Sequence, residues 1–167
     1  AQFSRWYDQV GTPRVTASGR YNAQDKTYTL TLSQVSTKLP GHPSPQPLHI
    51  PVQTALLHDD GKPILSRLAS DSDTTHQHLL ELTETQQDFV FSEVTSEPIS
   101  SLLREFSAPV ILDYPLDASA LSLLMYHDTD PYCRWDAGQR LARLEILDTL
   151  NKLATSCEPM ISESFLR

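Results

Sequence analysis

Thr27-Tyr28-Thr29-Leu30-Thr31-Leu32-Ser33-Gln34 is the stretch whose reading decides the fold. Tyr28, Leu30 and Leu32 alternate with Thr27, Thr29, Thr31 and Ser33. Successive side chains of a strand point to opposite faces, so this period of two sets apolar groups on one side and hydroxyls on the other. The pattern predicts a half-buried strand with Tyr28, Leu30 and Leu32 in the core and Thr29 and Thr31 outward. Upstream, Asn22-Ala23-Gln24-Asp25-Lys26 reads as a turn and Val15 to Gly19 as a short strand. Downstream, Pro40-Gly41-His42-Pro43-Ser44-Pro45-Gln46-Pro47 lacks too many backbone donors to sit inside a sheet. It is expected to be a stiff surface loop rather than a polyproline ligand.

Working further outward, Ile50, Val52, Thr54 and Leu56 alternate with Pro51, Gln53, Ala55 and Leu57, a strand buried on both faces toward its end. His58-Asp59-Asp60-Gly61-Lys62 is a hairpin-type turn, with Gly61 supplying the positive φ. Ala69 to Thr75 is a polar loop. Leu80 with Leu82, Phe89 with Phe91, Leu102 to Phe106, and Val110 to Tyr114 mark further strands, and Pro109 an edge or bulge. Roughly seven to nine short strands joined by turns predict an antiparallel sandwich of two facing sheets. No helix-length pattern separates them, which argues against a parallel βαβ sheet.

Near residue 116 the period changes. Asp117 is a natural N-cap, and Leu121, Leu124 and Met125 fall on one helix face. Asp130-Pro131 starts a second helix, with Asp130 as cap and Pro131 at the first helical position. Leu141, Leu144, Leu147 and Leu150 step by three toward Leu153, and Asp136–Arg140 and Asp148–Lys152 are acid-then-base pairs at i,i+4. Glu158-Pro159 stops this helix, and the last residues are read as the start of a third. The tail is expected to dock one face on the sandwich through Trp135.

The chain has 167 residues and a formal net charge of −8. That size suits one domain, or one domain plus a piece of another, and allows a real core. The charge argues against nucleic acid and anionic membrane as partners, which select for Lys/Arg patches. No run approaches the ~20 apolar residues of a membrane span. The opening Ala1-Gln2-Phe3-Ser4-Arg5-Trp6 has no leader-like pattern of basic then apolar residues, and Ala1 in place of Met is expected of a fragment or processed product. Two cysteines, Cys133 and Cys157, read as reduced thiols rather than as one disulfide, which favours a reducing compartment, and a cytoplasmic location is expected.

Reaction chemistry is hard to find. None of the histidines is followed by Glu, so the His-Glu-x-x-His zinc helix is absent, and no two glycines frame a nucleophile elbow. His76 and His78 have ligand-like spacing but no third ligand, and read as a solvated loop. Asp71/Asp73 and Asp128/Asp130 are read as solvated turns rather than calcium loops. Glu105, placed in a strand, is read as either a buried, paired carboxylate or an outward charge. Trp6, Tyr7, Phe89, Phe91, Phe106 and Trp135 are read as core or domain-contact residues. No catalytic, cofactor-binding or metal-binding residue is assigned.

Several segments, in order, carry a family resemblance: Phe3-Ser4-Arg5-Trp6-Tyr7-Asp8-Gln9-Val10-Gly11-Thr12-Pro13, Tyr28 to Gln34, Gln46-Pro47-Leu48-His49-Ile50-Pro51, Leu102 to Val110, Leu124-Met125-Tyr126-His127-Asp128, and Arg134-Trp135-Asp136-Ala137-Gly138-Gln139. They span roughly residues 3 to 153, while Ser156 to Arg167 matches nothing and Leu65 to His78 matches poorly. Together they resemble the region after the catalytic domain in bacterial-type aminopeptidase N, a zinc metalloprotease family of hydrolases. The resemblance implies a mainly β fold, an antiparallel immunoglobulin-like β-sandwich over residues 1–115, followed by two to three α-helices over 116–167 that open a C-terminal helical domain. It implies a non-catalytic fragment that links the catalytic and helical domains of one polypeptide, with no cofactor of its own. One zinc ion is expected in the parent enzyme, which would release N-terminal amino acids from peptides. Self-association of the isolated chain is expected. The alternative is a free-standing sandwich module that binds protein or carbohydrate through its loops.

Overall fold

The deciding stretch forms the middle strand of the larger sheet. A computed structural model describes residues 2–41 and 43–154. In it β1 (Arg14–Asn22) pairs antiparallel with β2 (Thr27–Val35), from Arg14 opposite Val35 to Asn22 opposite Thr27. Tyr28, Leu30 and Leu32 are buried and the intervening threonines are half-buried. β3 (Ile50–Leu57), β4 (Arg67–Leu68), β5 (His78–Leu82), β6 (Gln86–Ser92), β7 (Ile99–Leu102) and β8 (Ile111–Asp113) follow. They make one sheet in the order β4-β6-β2-β1-β8 and a second in the order β5-β3-β7. Every pairing is antiparallel except β1 with β8.

The two sheets close on Val15, Tyr28, Leu30, Leu32, Ile50, Val52, Leu56, Leu80, Leu82, Phe89 and Phe91. Apolar burial of this kind is worth about 1.5–3 kcal/mol per large side chain, which is why period two dictates the register. Gln34 is buried among them, and its amide donates to the carbonyls of Leu48 and Glu84 while its oxygen accepts from the Leu48 N–H. The 58–62 turn forms as read, with Gly61 at φ +82°.

α1 (Arg5–Asp8) precedes the sandwich, and α2 (Ala118–His127) and α3 (Pro131–Ala154) follow it. Asp117 caps α2 by accepting from the Ala120 N–H at 2.8 Å. The Asp136–Arg140 and Asp148–Lys152 pairs form at 3.7 and 2.5 Å. β3 becomes fully buried from Thr54 onward because Ala55 and Leu57 pack outward onto Leu121, Leu124, Ala137 and Leu141. This is the docked face of the helices. Trp135 does not make it: it is 60% exposed and meets the Tyr132 ring at a tilt.

The strand read over Leu102 to Phe106 is corrected. β7 stops at Leu102, Leu103 turns left-handed at φ 60°, and Arg104–Phe106 form a tight helical turn with Glu105 at φ 58°. Of the two readings of Phe106 and Tyr7, core or domain contact, their exposure removes the core one. Cys157, the third helix and the stop at Glu158-Pro159 lie outside the described residues, as does His42.

Candidate functional site

A buried charge contact joins the sandwich to the helices. Arg104 is 3% exposed. A guanidinium cannot shed its charge, so burying it demands acceptors; both terminal nitrogens find them, while Nε makes no hydrogen bond among the described residues. Its Nη1 donates to Asp128 Oδ1 at 2.6 Å and to Ser101 Oγ at 3.0 Å, and its Nη2 donates to Thr129 Oγ1 at 2.8 Å. Asp128 is buried at the C-terminal end of α2, and its Oδ1 also accepts from the Asp130 N–H. Asp130 then reaches both ways. Oδ1 accepts from the Cys133 N–H at 2.8 Å, capping α3, and Oδ2 accepts from the Glu105 N–H at 3.0 Å, holding the left-handed turn.

That turn has a physical reason. Positive φ at a bulky non-glycine residue is disfavoured and persists where surrounding contacts over-determine it. Here the reversal swings Arg104 inward and leaves Glu105 exposed. Burial alone pushes the Asp130 carboxyl up, but the N–H groups of Cys133 and Glu105 and the nearby Arg104 charge outweigh it, and the group titrates below its ordinary range. Burial pushes the Cys133 thiol up, so it is an inert donor to the Leu102 carbonyl rather than a nucleophile.

Two further contacts flank the lock. The Arg140 Nη2 donates to the Tyr114 carbonyl. Gly61, in the β3 turn, lies so close to α2 that a Cβ there would stand 2.2 Å from the His127 Cβ. The arrangement positions one body on another; it presents no activated nucleophile. Among the described residues no three His, Cys, Asp or Glu side chains converge as a metal requires, so the zinc of the resembled family does not fit them. None of the described helices is long and apolar enough to cross a membrane.

The Asp128/Asp130 pair, read as a solvated turn, is therefore corrected: both carboxylates are buried and bound. The solvated-loop reading holds for His76 and is corrected for His78. His76 is exposed, whereas His78 begins β5 with its side chain in the core. Asp71 and Asp73 stay on an exposed loop. Arg104 was missed, and Glu105 beside it was weighed instead. The available signal was Asp128-Thr129-Asp130-Pro131, a helix cap preceded two residues earlier by a second carboxylate.

The fold agrees with known proteins. The family model described as a domain of unknown function (DUF3458), Ig-like fold, matches residues 11–115, and DUF3458_C, described as ARM repeats, matches 118–166. Aminopeptidase N of Escherichia coli is 40% identical over 141 residues, covering 84% of this chain and 16% of that protein. Aminopeptidase N of Haemophilus influenzae is 35% identical over 145 residues, covering 87% of this chain and again 16% of the relative. A crystal structure of Legionella pneumophila aminopeptidase A in complex with aspartic acid aligns with a TM-score of 0.76 at 28% identity, over 98% of this chain and 17% of that one. The chain thus spans about one sixth of the length of the relatives it matches. An Ig-like sandwich carrying docked helices, matched in that order by both family models, places the chain in the DUF3458 family, as a segment of the aminopeptidase N type.

Proposed function

We propose that this region is the non-catalytic linker of an aminopeptidase, joining a catalytic domain upstream to a helical domain that begins near residue 116. The parent would be a cytoplasmic zinc enzyme that releases N-terminal amino acids from peptides, its metal held by residues outside this segment. The Arg104 lock carries the reading, because it fastens the first helices rigidly to the sandwich instead of leaving them on a free linker. β3 supports it. At its start the N-terminal segment is pinned by the Trp6 Nε1 donating to the His49 carbonyl at 2.9 Å and by Gln2 donating to the Pro47 and Thr83 carbonyls. At its other end Ala55 and Leu57 receive α2 and α3. A strand of this length holds those attachments about 20–26 Å apart. Both attachments present exposed apolar side chains, Phe3 and Tyr7 at one, Leu144, Leu147 and Leu150 at the other. Such surfaces suit neighbouring parts of a longer polypeptide.

The native open reading frame is the first test. An upstream segment with His-Glu-x-x-His is expected, and a full-length frame without one overturns the reading. In the full-length enzyme, Arg104→Ala should loosen the helical domain and raise kcat/KM for long peptides relative to a small chromogenic substrate. An unchanged ratio in a folded variant would remove the positioning role while leaving the family assignment intact.

A further inference from the structure

Ser66, His78 and Asp71 stand in the order of a hydroxyl–imidazole–carboxylate relay. Ser66 Oγ lies 3.0 Å from His78 Nε2, and Asp71 Oδ2 lies 3.9 Å from Nδ1. As a nucleophilic site the group fails, because Ser66 is 1% exposed and no substrate carbonyl can reach its hydroxyl. Its position suggests a different use. His78 is the residue where the exposed loop 69–77 re-enters the sandwich as β5. The Ser66 and Thr75 main chains exchange two hydrogen bonds at the root of that loop, at 3.1 and 2.8 Å. Asp71 N–H donates to the Leu68 carbonyl and Ala69 N–H to the Val90 carbonyl. The imidazole sits beneath these ties, edge-on to Phe91 at 5.1 Å, with its Nδ1 buried and making no hydrogen bond among the described residues.

We propose that His78 is an acid-sensitive latch for the loop 69–77: the loop stays closed while the imidazole is neutral, and a second ring proton taken from solvent opens the loop at the Ser66–Thr75 pair. The argument is one of solvation. A buried imidazolium lacks water, and the carboxylate that could answer it stands beyond hydrogen-bond distance. Burial is the strongest influence on this imidazole and lowers its pKa; Asp71 and the Thr75 main chain act against it without prevailing. The groups packed around it are Ser66 on the approach to β4, Asp71 and Thr75 on the loop, Thr54 opposite on β3, and Phe91 on β6. Of these, Asp71 alone is charged. A group whose pKa is depressed by folding favours the closed form above its ordinary value near 6.5 and weakens it as pH falls from there toward the closed-state value. Opening would release Ala69 from Val90 and lengthen the unpaired edge of β6, since β4 beside it spans only Arg67–Leu68. The latch is independent of the linker reading and could hold or fail without it.

Amide hydrogen exchange of the 167-residue chain, corrected for intrinsic rates, tests this between pH 7.5 and 4.5. Protection at the Ser66, Asp71 and Thr75 amides should fall about tenfold or more while Leu30 and Leu32 on β2 stay unchanged. His78→Gln, whose amide can still meet Ser66, should remove the pH dependence. Asp71→Asn should make the loop more acid-sensitive, since it deletes the one charge that favours the imidazolium. Flat protection in the unaltered chain, or an equal fall in His78→Gln, overturns the proposal. Should His78→Gln not fold, titration of the imidazole nitrogens decides, and a His78 midpoint at or above 6.5 overturns it as well.

Discussion

Arg104 shows why a buried charge is easy to misread. Its nearest carboxylate, Asp128, is 24 positions away on another element, so neither residue carries a local mark of its partner. In the sequence Arg104 resembles any strand-flanking base, and Asp128 resembles any loop acid. Removing one member of a buried pair leaves the other uncompensated, at a cost of about 3–5 kcal/mol, although the pair itself adds little net stability over apolar residues. Arg104→Ala is therefore expected to lower unfolding stability by that amount in urea denaturation, and Arg104→Met with Asp128→Leu to recover most of it. A loss under ~1 kcal/mol for the single change would mean that the pair is not structural. Asp130 was legible as the α3 cap because a cap is local chemistry; its second bond, to the Glu105 N–H, depends on a chain reversal that no local pattern encodes.

Among the elements, β2 and α2 follow their sequence patterns closely, since period two and an Asp cap act within a few residues. β7 does not: Leu102 to Phe106 reads as one apolar strand, but tertiary demand for Arg104 bends it into three left-handed residues, Leu103, Glu105 and Phe106. α3 is legible as a helix but not in its docking. Leu141 is buried, whereas Leu144, Leu147, Leu150 and Leu153 are exposed, and the contact is set by the small Ala137 one turn before Leu141. The 58–62 turn gives the sharpest test at this scale. Gly61→Ala would force a left-handed alanine and drive its Cβ into His127. The conformational part alone costs about 1–2 kcal/mol, and each kcal/mol lowers Tm by about 2–4 °C in a chain of this size. A melting curve should show a fall larger than conformation alone explains, and adding His127→Gly should recover the clash but not the conformational part. An unchanged Tm would show that the turn yields freely and contributes nothing to docking.

At the scale of the molecule, the helices bury one face on β3 and leave another open. Each large side chain left in water forgoes about 1.5–3 kcal/mol of burial. Leu147 and Leu150 lie on this open surface, together with Ile146 and Leu153. The isolated chain is accordingly expected to self-associate, seen as a rising mean mass in light scattering over a concentration series, and Leu147→Glu with Leu150→Glu should abolish the rise. A mass that stays monomeric up to about 1 mM would rule this surface out as a contact. The parallel pairing of β1 with β8 has a consequence in time. Arg14 meets Ile111, Val15 meets Leu112 and Thr16 meets Asp113. During synthesis, at about 5–20 residues per second, the partner of β1's outer edge is made some 5–20 s after β1 itself. Through that interval the nascent chain carries an open strand edge next to its own emerging core, a template for pairing with any other extended chain nearby. β8 covers the Arg14–Thr16 end of that edge just before α2 and α3 are made, so this end of the sandwich is closed only as its helices arrive to be locked in place.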